Sequence, residues 1–201
     1  MLRVSPGETA VSVPDDELVR RCRAGDPSAM RQLVERFQGD VYGLCCRMLR
    51  NPHDAEDVAQ EVFIRVFRSL GRWDASRPFK PWVVAIAVNR CRTFIGRRGK
   101  LPESVDYLAE TLATKPEPTD GDELHAEIRS AVDDLRPDYR TVFVLFHEQG
   151  QAYDEIAEAV GRPVGTIKTW LHRARAEILA RLRRRGLYPD PETPPNPLAA
   201  R

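Results

Sequence analysis

The chain has 201 residues, of which 42% are hydrophobic and 30% charged, with a formal net charge of +1. That length allows one domain or two small ones with packed cores, and the composition is that of an ordinary globular protein rather than of a disordered or fibrous chain. The longest apolar run, residues 82–88, falls far short of the ~20 residues needed to cross a bilayer. Residues 1–14 hold a single Arg and no apolar stretch, so no secretory leader and no membrane insertion are expected, and the expected location is cytoplasmic.

Apolar residues recur with the helical period and convincing alternating runs are missing, which predicts an all-α fold. "DDELVRRCRAG" predicts a short first helix. "DPSAMRQLVERFQGDVYGLCCRMLR" predicts a long second one, with Asp26 as N-cap and Pro27 at the first helical position. Asn51-Pro52 breaks the chain before "NPHDAEDVAQEVFIRVFRSL". There Ala55, Val58, Ala59, Val62, Phe63, Val66, Phe67 and Leu70 step along one face. A fourth helix is expected over residues 79–98.

"KLPESVDYLAETLATKPEPTDGD" then interrupts the pattern with prolines, a glycine and many acids, as a linker does. Four more helical segments follow: "DELHAEIRSAVDDL", "PDYRTVFVLFHEQ", "AYDEIAEAV" and "VGTIKTWLHRARAEILARLRRR". The expected layout is two small helical domains, 15–100 and 122–186, joined by a flexible acidic linker at 101–121. Residues 1–14 and the proline-rich tail 187–201 are expected to be disordered.

Cys22, Cys45, Cys46 and Cys91 lie inside apolar-periodic segments without metal-ligand spacing, so they are expected to be reduced thiols packed in helices. No metal site and no cofactor are expected. The near-neutral total conceals a strong segregation of charge. Residues 77–100 carry seven basic residues and no acid, 103–134 carry ten acids against Lys115 and Arg129, and 162–185 carry eight basic residues against Glu177 alone. Two basic blocks flanking an acidic one suggest contact with a polyanion at two separate places.

The second basic block has the sharper local pattern. Ile156, Ala157 and Val160 mark a short helix, "GRP" turns the chain, and Ile167, Leu171, Ala174 and Ile178 form the inner stripe of the next. That is helix-turn-helix spacing. Gly165 and Thr166 open the second helix, where unpaired backbone N–H groups and the positive dipole end suit a phosphate. Away from the stripe stand Lys168, Thr169, His172, Arg173 and Arg175, residue types that reach guanine edges, thymine methyls or phosphates. A solvated basic helix end would show the same charges without the turn and the preceding helix in register.

In the first half, Asp54, Glu56, Asp57, Gln60 and Glu61 sit near the start of a helix, where acids favour the dipole and would suit either simple capping or docking. Phe79, Trp82, Ile86, Asn89 and Thr93 share one side of the fourth helix, with Arg90, Arg92, Arg97 and Arg98 alongside. Aromatic and basic residues together suit unpaired bases and their phosphates, although Phe79 and Trp82 would equally suit a core.

Taken together, these segments resemble the extracytoplasmic-function (ECF) group of bacterial sigma-70 family initiation factors. "NPHDAEDVAQEVFIRVFRSLGRW" resembles the family's regions 2.1–2.2, "FKPWVVAIAVNRCRTFI" its regions 2.3–2.4, and "LRPDYRTVFVLFHEQGQAYDEIAEAVGRPVGTIKTWLHRARAEI" its region 4. The resemblance implies a protein that is not an enzyme. It would bind the clamp and flap regions of core RNA polymerase and direct initiation at promoter DNA, both duplex and single-stranded.

By the same resemblance, Asp54, Asp57, Gln60, Glu61 and Phe63 would meet the polymerase. Phe79, Trp82, Ile86, Asn89, Arg90, Thr93 and Arg97, with loop 71–76, would capture the melted minus-10 element. Gly165, Thr166, Lys168, Thr169, His172, Arg173 and Arg175 would read the minus-35 duplex, and an anti-sigma factor would hold the free protein. The chain departs from the family pattern at Thr93, where many relatives carry Asp or Asn, and at Trp170, which replaces the usual Arg. The competing expectation is a free-standing helix-turn-helix regulator with an N-terminal dimerisation or sensing domain. A helical enzyme finds no nucleophile–base spacing or phosphate loop to support it.

Overall fold

The computed structural model describes residues 13–98 and 120–188. The expected linker, N-terminal segment and proline-rich tail lie, apart from residues at their edges, outside that part of the chain. Within it the fold is helical throughout: α1 (Asp15–Arg23), α2 (Pro27–Leu49), α3 (Pro52–Ser69), a single 3-10 turn (Leu70–Arg72), α4 (Phe79–Arg98), α5 (Asp120–Asp133), α6 (Pro137–His147), α7 (Tyr153–Val160) and α8 (Val164–Arg184).

Local chemistry explains the breaks. The Asp26 carboxylate accepts from the N–H groups of Ser28 at 2.8 Å and Ala29 at 3.3 Å. Pro27 fills the first position of α2, where its missing N–H costs nothing. Asn51 repeats the device at α3, accepting from His53 at 2.9 Å and Asp54 at 3.1 Å, again with proline next. Between α7 and α8 the chain reverses at Gly161, whose φ of 68° lies in the left-handed region that glycine enters without penalty. Arg50 ends α2 at φ 59° without that freedom, a conformation that non-glycine residues rarely adopt.

The first domain is α1 to α4. Here α2 packs on α3 and α4, α3 packs on α4, and α1 lies along α2. Phe79 stands at its centre, edge-on to Phe37 at 5.3 Å and Trp73 at 5.1 Å, with Trp82 at 5.4 Å on its outer side. Arg23 closes one end by donating to the carbonyls of Leu70 and Trp73. Cys45 and Cys91 meet in this core as free thiols, Sγ to Sγ 3.6 Å, so they act as small apolar packing groups.

The second domain is α5 to α8, with α8 as the spine against which α5, α6 and α7 pack. Its stripe of Ile167, Leu171, Ala174 and Ile178 is buried, as are Ile156, Ala157 and Val160 opposite. Buried Arg140 ties the α5–α6 corner by donating to the carbonyls of Asp133 at 2.7 Å and Leu135 at 2.9 Å. Burial lowers the pKa of this guanidinium, with the nearby Arg50 charge acting in the same direction.

The domains also touch each other: α7 lies on α4, and α6 on α2. Arg47 of α2 reaches Asp133 at 2.7 Å and Glu148 at 3.1 Å.

Candidate nucleic-acid interface

On α8 the burial of the inner stripe leaves Gly165, Lys168, Thr169, His172, Arg173 and Arg175 exposed and Thr166 half-buried. No side chain caps the N-terminus of this helix; the Thr166 N–H bonds the Pro163 carbonyl at 2.9 Å, which leaves the N–H groups of Val164 and Gly165 for an acceptor. The basic groups are cradled rather than loose. Lys168 Nζ lies 5.5 Å from the ring centre of Tyr153. The Arg173 guanidinium donates to the Tyr139 hydroxyl at 3.3 Å. Arg175 donates to His147 Nε2 at 3.1 Å and lies over Phe146 at 5.2 Å.

These partners come from α6 and α7, and none of them is anionic. They orient the cations without cancelling their charge, which leaves it available to a phosphate or a guanine edge. The Thr169 hydroxyl donates to the Gly165 carbonyl at 2.9 Å. Trp170 packs beside Tyr139, with the Arg136 guanidinium 3.7 Å above the tyrosine ring.

On α4 the expected residues form a gradient instead of one face. Phe79 is 1% exposed, so it supports the surface from beneath and offers no ring to a base. Trp82 and Ile86 are half-buried, while Asn89, Thr93 and Arg97 are exposed. The Thr93 hydroxyl donates to the Asn89 carbonyl at 2.7 Å. Arg90 is drawn inward to Glu61 of α3, its side chain only 12% exposed, so its charge is already neutralised. The loop before α4 is shaped by Asp74, which accepts from the N–H of Ser76 at 2.9 Å and whose carbonyl accepts from that of Arg77 at 3.0 Å.

The acidic side of α3 runs along its outer edge. Asp57, Gln60 and Glu61 are exposed, and Asp54 and Phe63 half-buried. Ile64, 50% exposed, continues the line of Asp57 and Gln60 by helical spacing. Ile64 falls outside the Ala55–Leu70 apolar stripe, so its place off the helical period is the one sequence signal that marks it as a surface residue. Arg77, in sequence one member of the basic block 77–100, lines a cleft beside Trp82.

Similarity to known proteins follows the same division of the chain. The Sigma-70 region 2 family model matches residues 33–101, and the Sigma-70, region 4 model matches 125–178. The RNA polymerase sigma-H factor of Pseudomonas aeruginosa is 32% identical over 176 residues, covering 82% of this chain and 91% of that protein. The ECF RNA polymerase sigma factor SigW of Bacillus subtilis is 34% identical over 179 residues, covering 82% and 95%. Among solved structures, CnrH in complex with the cytosolic domain of CnrY aligns with TM-score 0.61 and 26% identity, covering 85% of this chain and 97% of CnrH. Two helical domains carrying region 2 and region 4 define a sigma-70-type initiation factor. The chain belongs to the ECF group of that family.

Proposed function

We propose that the chain reads the minus-35 duplex with the basic face of α8 and captures an unstacked base of the minus-10 strand beside Trp82, Ile86 and Asn89. The protein is an initiation factor that binds core RNA polymerase and directs promoter-specific transcription. Its own chain supplies recognition and carries no chemistry, so it acts as a specificity subunit rather than an enzyme, in the cytoplasm where the polymerase works.

The observation that carries the reading is the α8 face. Its cations stand on aromatic rings and a histidine, its apolar stripe is buried, and its first acid is Glu177. A recognition helix places its N-terminal residues against base edges in the major groove, where arginine and lysine pair with guanine. Supporting the second half, flipping a base costs a few kcal/mol, and a half-buried tryptophan flanked by arginines offsets that by stacking and by holding phosphates.

The outer edge of α3, with Asp57, Gln60, Glu61 and Ile64, is proposed as the polymerase-docking surface. Polar groups around one exposed aliphatic residue suit a protein partner better than DNA. An anti-sigma partner is proposed as well, in line with the complex in which CnrH was solved; an affinity isolation of the native protein would recover it.

Run-off transcription on the protein's own upstream region, with bacterial core polymerase, tests the main reading. New discrete transcripts that need both components are expected. No transcript, no co-elution with core, and dimeric binding to a palindrome would instead support a free-standing regulator.

A further inference from the structure

Between the domains lies a cleft of about 220 Å³. On one side stand Arg72, Trp73, Arg77 and Trp82 of the first domain, and on the other Glu155 and Glu158 of α7. Three features hold it shut. The Arg77 guanidinium forks onto the Glu158 carboxylate, Nη1 to Oε1 at 3.1 Å and Nη2 to Oε2. Farther along α4, Arg92 donates to the carbonyl of Val160 at the C-terminal end of α7, where a cation also meets the negative end of the helix dipole. At the far side of the contact, Arg47 bridges Asp133 and Glu148.

A carboxylate in a fork with arginine presents two oxygens in the geometry that a phosphate presents. Glu158 therefore offers Arg77, in the cleft beside Trp82, the same two-oxygen acceptor that a backbone phosphate would. Arg77 and Glu158 remain 57% and 60% exposed, so water and salt screen their attraction and the contact is one that a competing polyanion can displace. The α8 face is untouched by it.

Building on the minus-10 assignment above, we propose that the free chain is self-closed: α7 covers the minus-10-reading cleft, Glu158 substitutes for a DNA phosphate on Arg77, and single-stranded DNA must displace it to enter. Arg77 is thereby a phosphate-binding residue, and Glu158 its internal competitor. A factor closed in this way would read duplex DNA freely while withholding its single-strand surface until the domains part.

The test uses the full chain and a fluorescein-labelled dT12 oligonucleotide, followed by anisotropy across a salt series. Glu158→Gln removes the competitor and should tighten binding about two- to fivefold, the range an exposed ion pair spans. Arg77→Gln opens the same contact but removes the phosphate ligand, so it should bind no tighter than the unaltered chain. Its log–log salt slope should be shallower than that of Glu158→Gln by about 0.7, one single-strand phosphate.

Arg77→Glu, which sets like charges against each other, should enlarge the radius of gyration of the free chain in solution scattering. Unchanged dT12 affinity in Glu158→Gln, or equal tightening in both glutamine variants, would overturn the proposal, as would an unchanged radius in Arg77→Glu. Run-off transcription separates this failure from that of the wider reading. If the unaltered chain initiates while Glu158→Gln binds dT12 no better, only self-closure is wrong. If the unaltered chain supports no transcript, the minus-10 assignment falls first.

Discussion

The surfaces on α8 and α4 are built from the same materials, arginine, lysine and aromatic rings, and present them in opposite ways. On α8, Lys168, Arg173 and Arg175 rest against Tyr153, Tyr139, Phe146 and His147, groups that orient a cation and leave its charge outstanding. Beside and along α4, Arg77, Arg90 and Arg92 are engaged by Glu158, Glu61 and the Val160 carbonyl, acceptors that satisfy them. A duplex offers its phosphates and groove edges at once, so a preoriented open face suits it. An opened strand exists only after melting, and a surface for it gains specificity by remaining occupied until then.

Two core truncations give the largest expected effects and ask whether the two faces rest on equally firm support. Phe79→Ala should cost about 3–5 kcal/mol of stability and Leu171→Ala about 2–5. Both are readable as a shift in urea midpoint at constant slope. A Phe79→Ala chain of full stability with poor promoter opening would mean that this ring serves DNA after all.

Arg173→Ala or Lys168→Ala should weaken minus-35 binding by about 1–3 kcal/mol per lost base contact. Arg90→Ala, whose charge Glu61 already holds, should change duplex binding little. Anisotropy on matched and scrambled duplexes checks this pair. Equal losses on both sequences for the α8 variants would reduce that face to phosphate contacts, and a large loss from Arg90→Ala would break the contrast between the helices.

Removing the α3 cap with Asn51→Ala should lower stability by about 1 kcal/mol without touching either face. A melting curve suffices, and an unchanged midpoint would show that Pro52 alone starts the helix.

The smallest effect is expected from His147. Partial burial, then the neighbouring Arg175 charge, push its pKa below the ordinary value of 6.5. The folded state therefore favours neutral His147, while the unfolded chain takes up its proton at higher pH. The resulting stabilisation is present above about pH 6.5 and is lost as the pH falls toward the lower folded value. Protonation would also end His147's role as acceptor for Arg175. Melting temperatures between pH 5 and 8 should fall less steeply on the acid side for His147→Gln than for the unaltered chain.

The helices, their order and their caps were legible because each depends on near neighbours. Asp26-Pro27 and Asn51-Pro52 carry their own start signals, and Gly161 is the residue type that makes its left-handed turn without penalty. The α8 face was legible for a related reason: one periodic stripe, buried on a small domain, leaves the other side outward wherever the domain sits. Phe79 was not, since a ring in a helix among arginines reads equally as core or as platform, and only the positions of Phe37 and Trp73 separate the two.

Spacing along α8, together with the turn at residues 161–163 and the preceding helix, was thus sufficient to predict which face of α8 is buried and which stands outward. The engagements of Arg77, Arg90 and Arg92 could not be read in this way, because their partners lie on other helices, 81 residues away for Glu158 and 68 for Val160. Periodicity constrains which side of a helix faces inward, whereas pairing between distant helices depends on how packed domains meet, and that emerges only when the chain has folded.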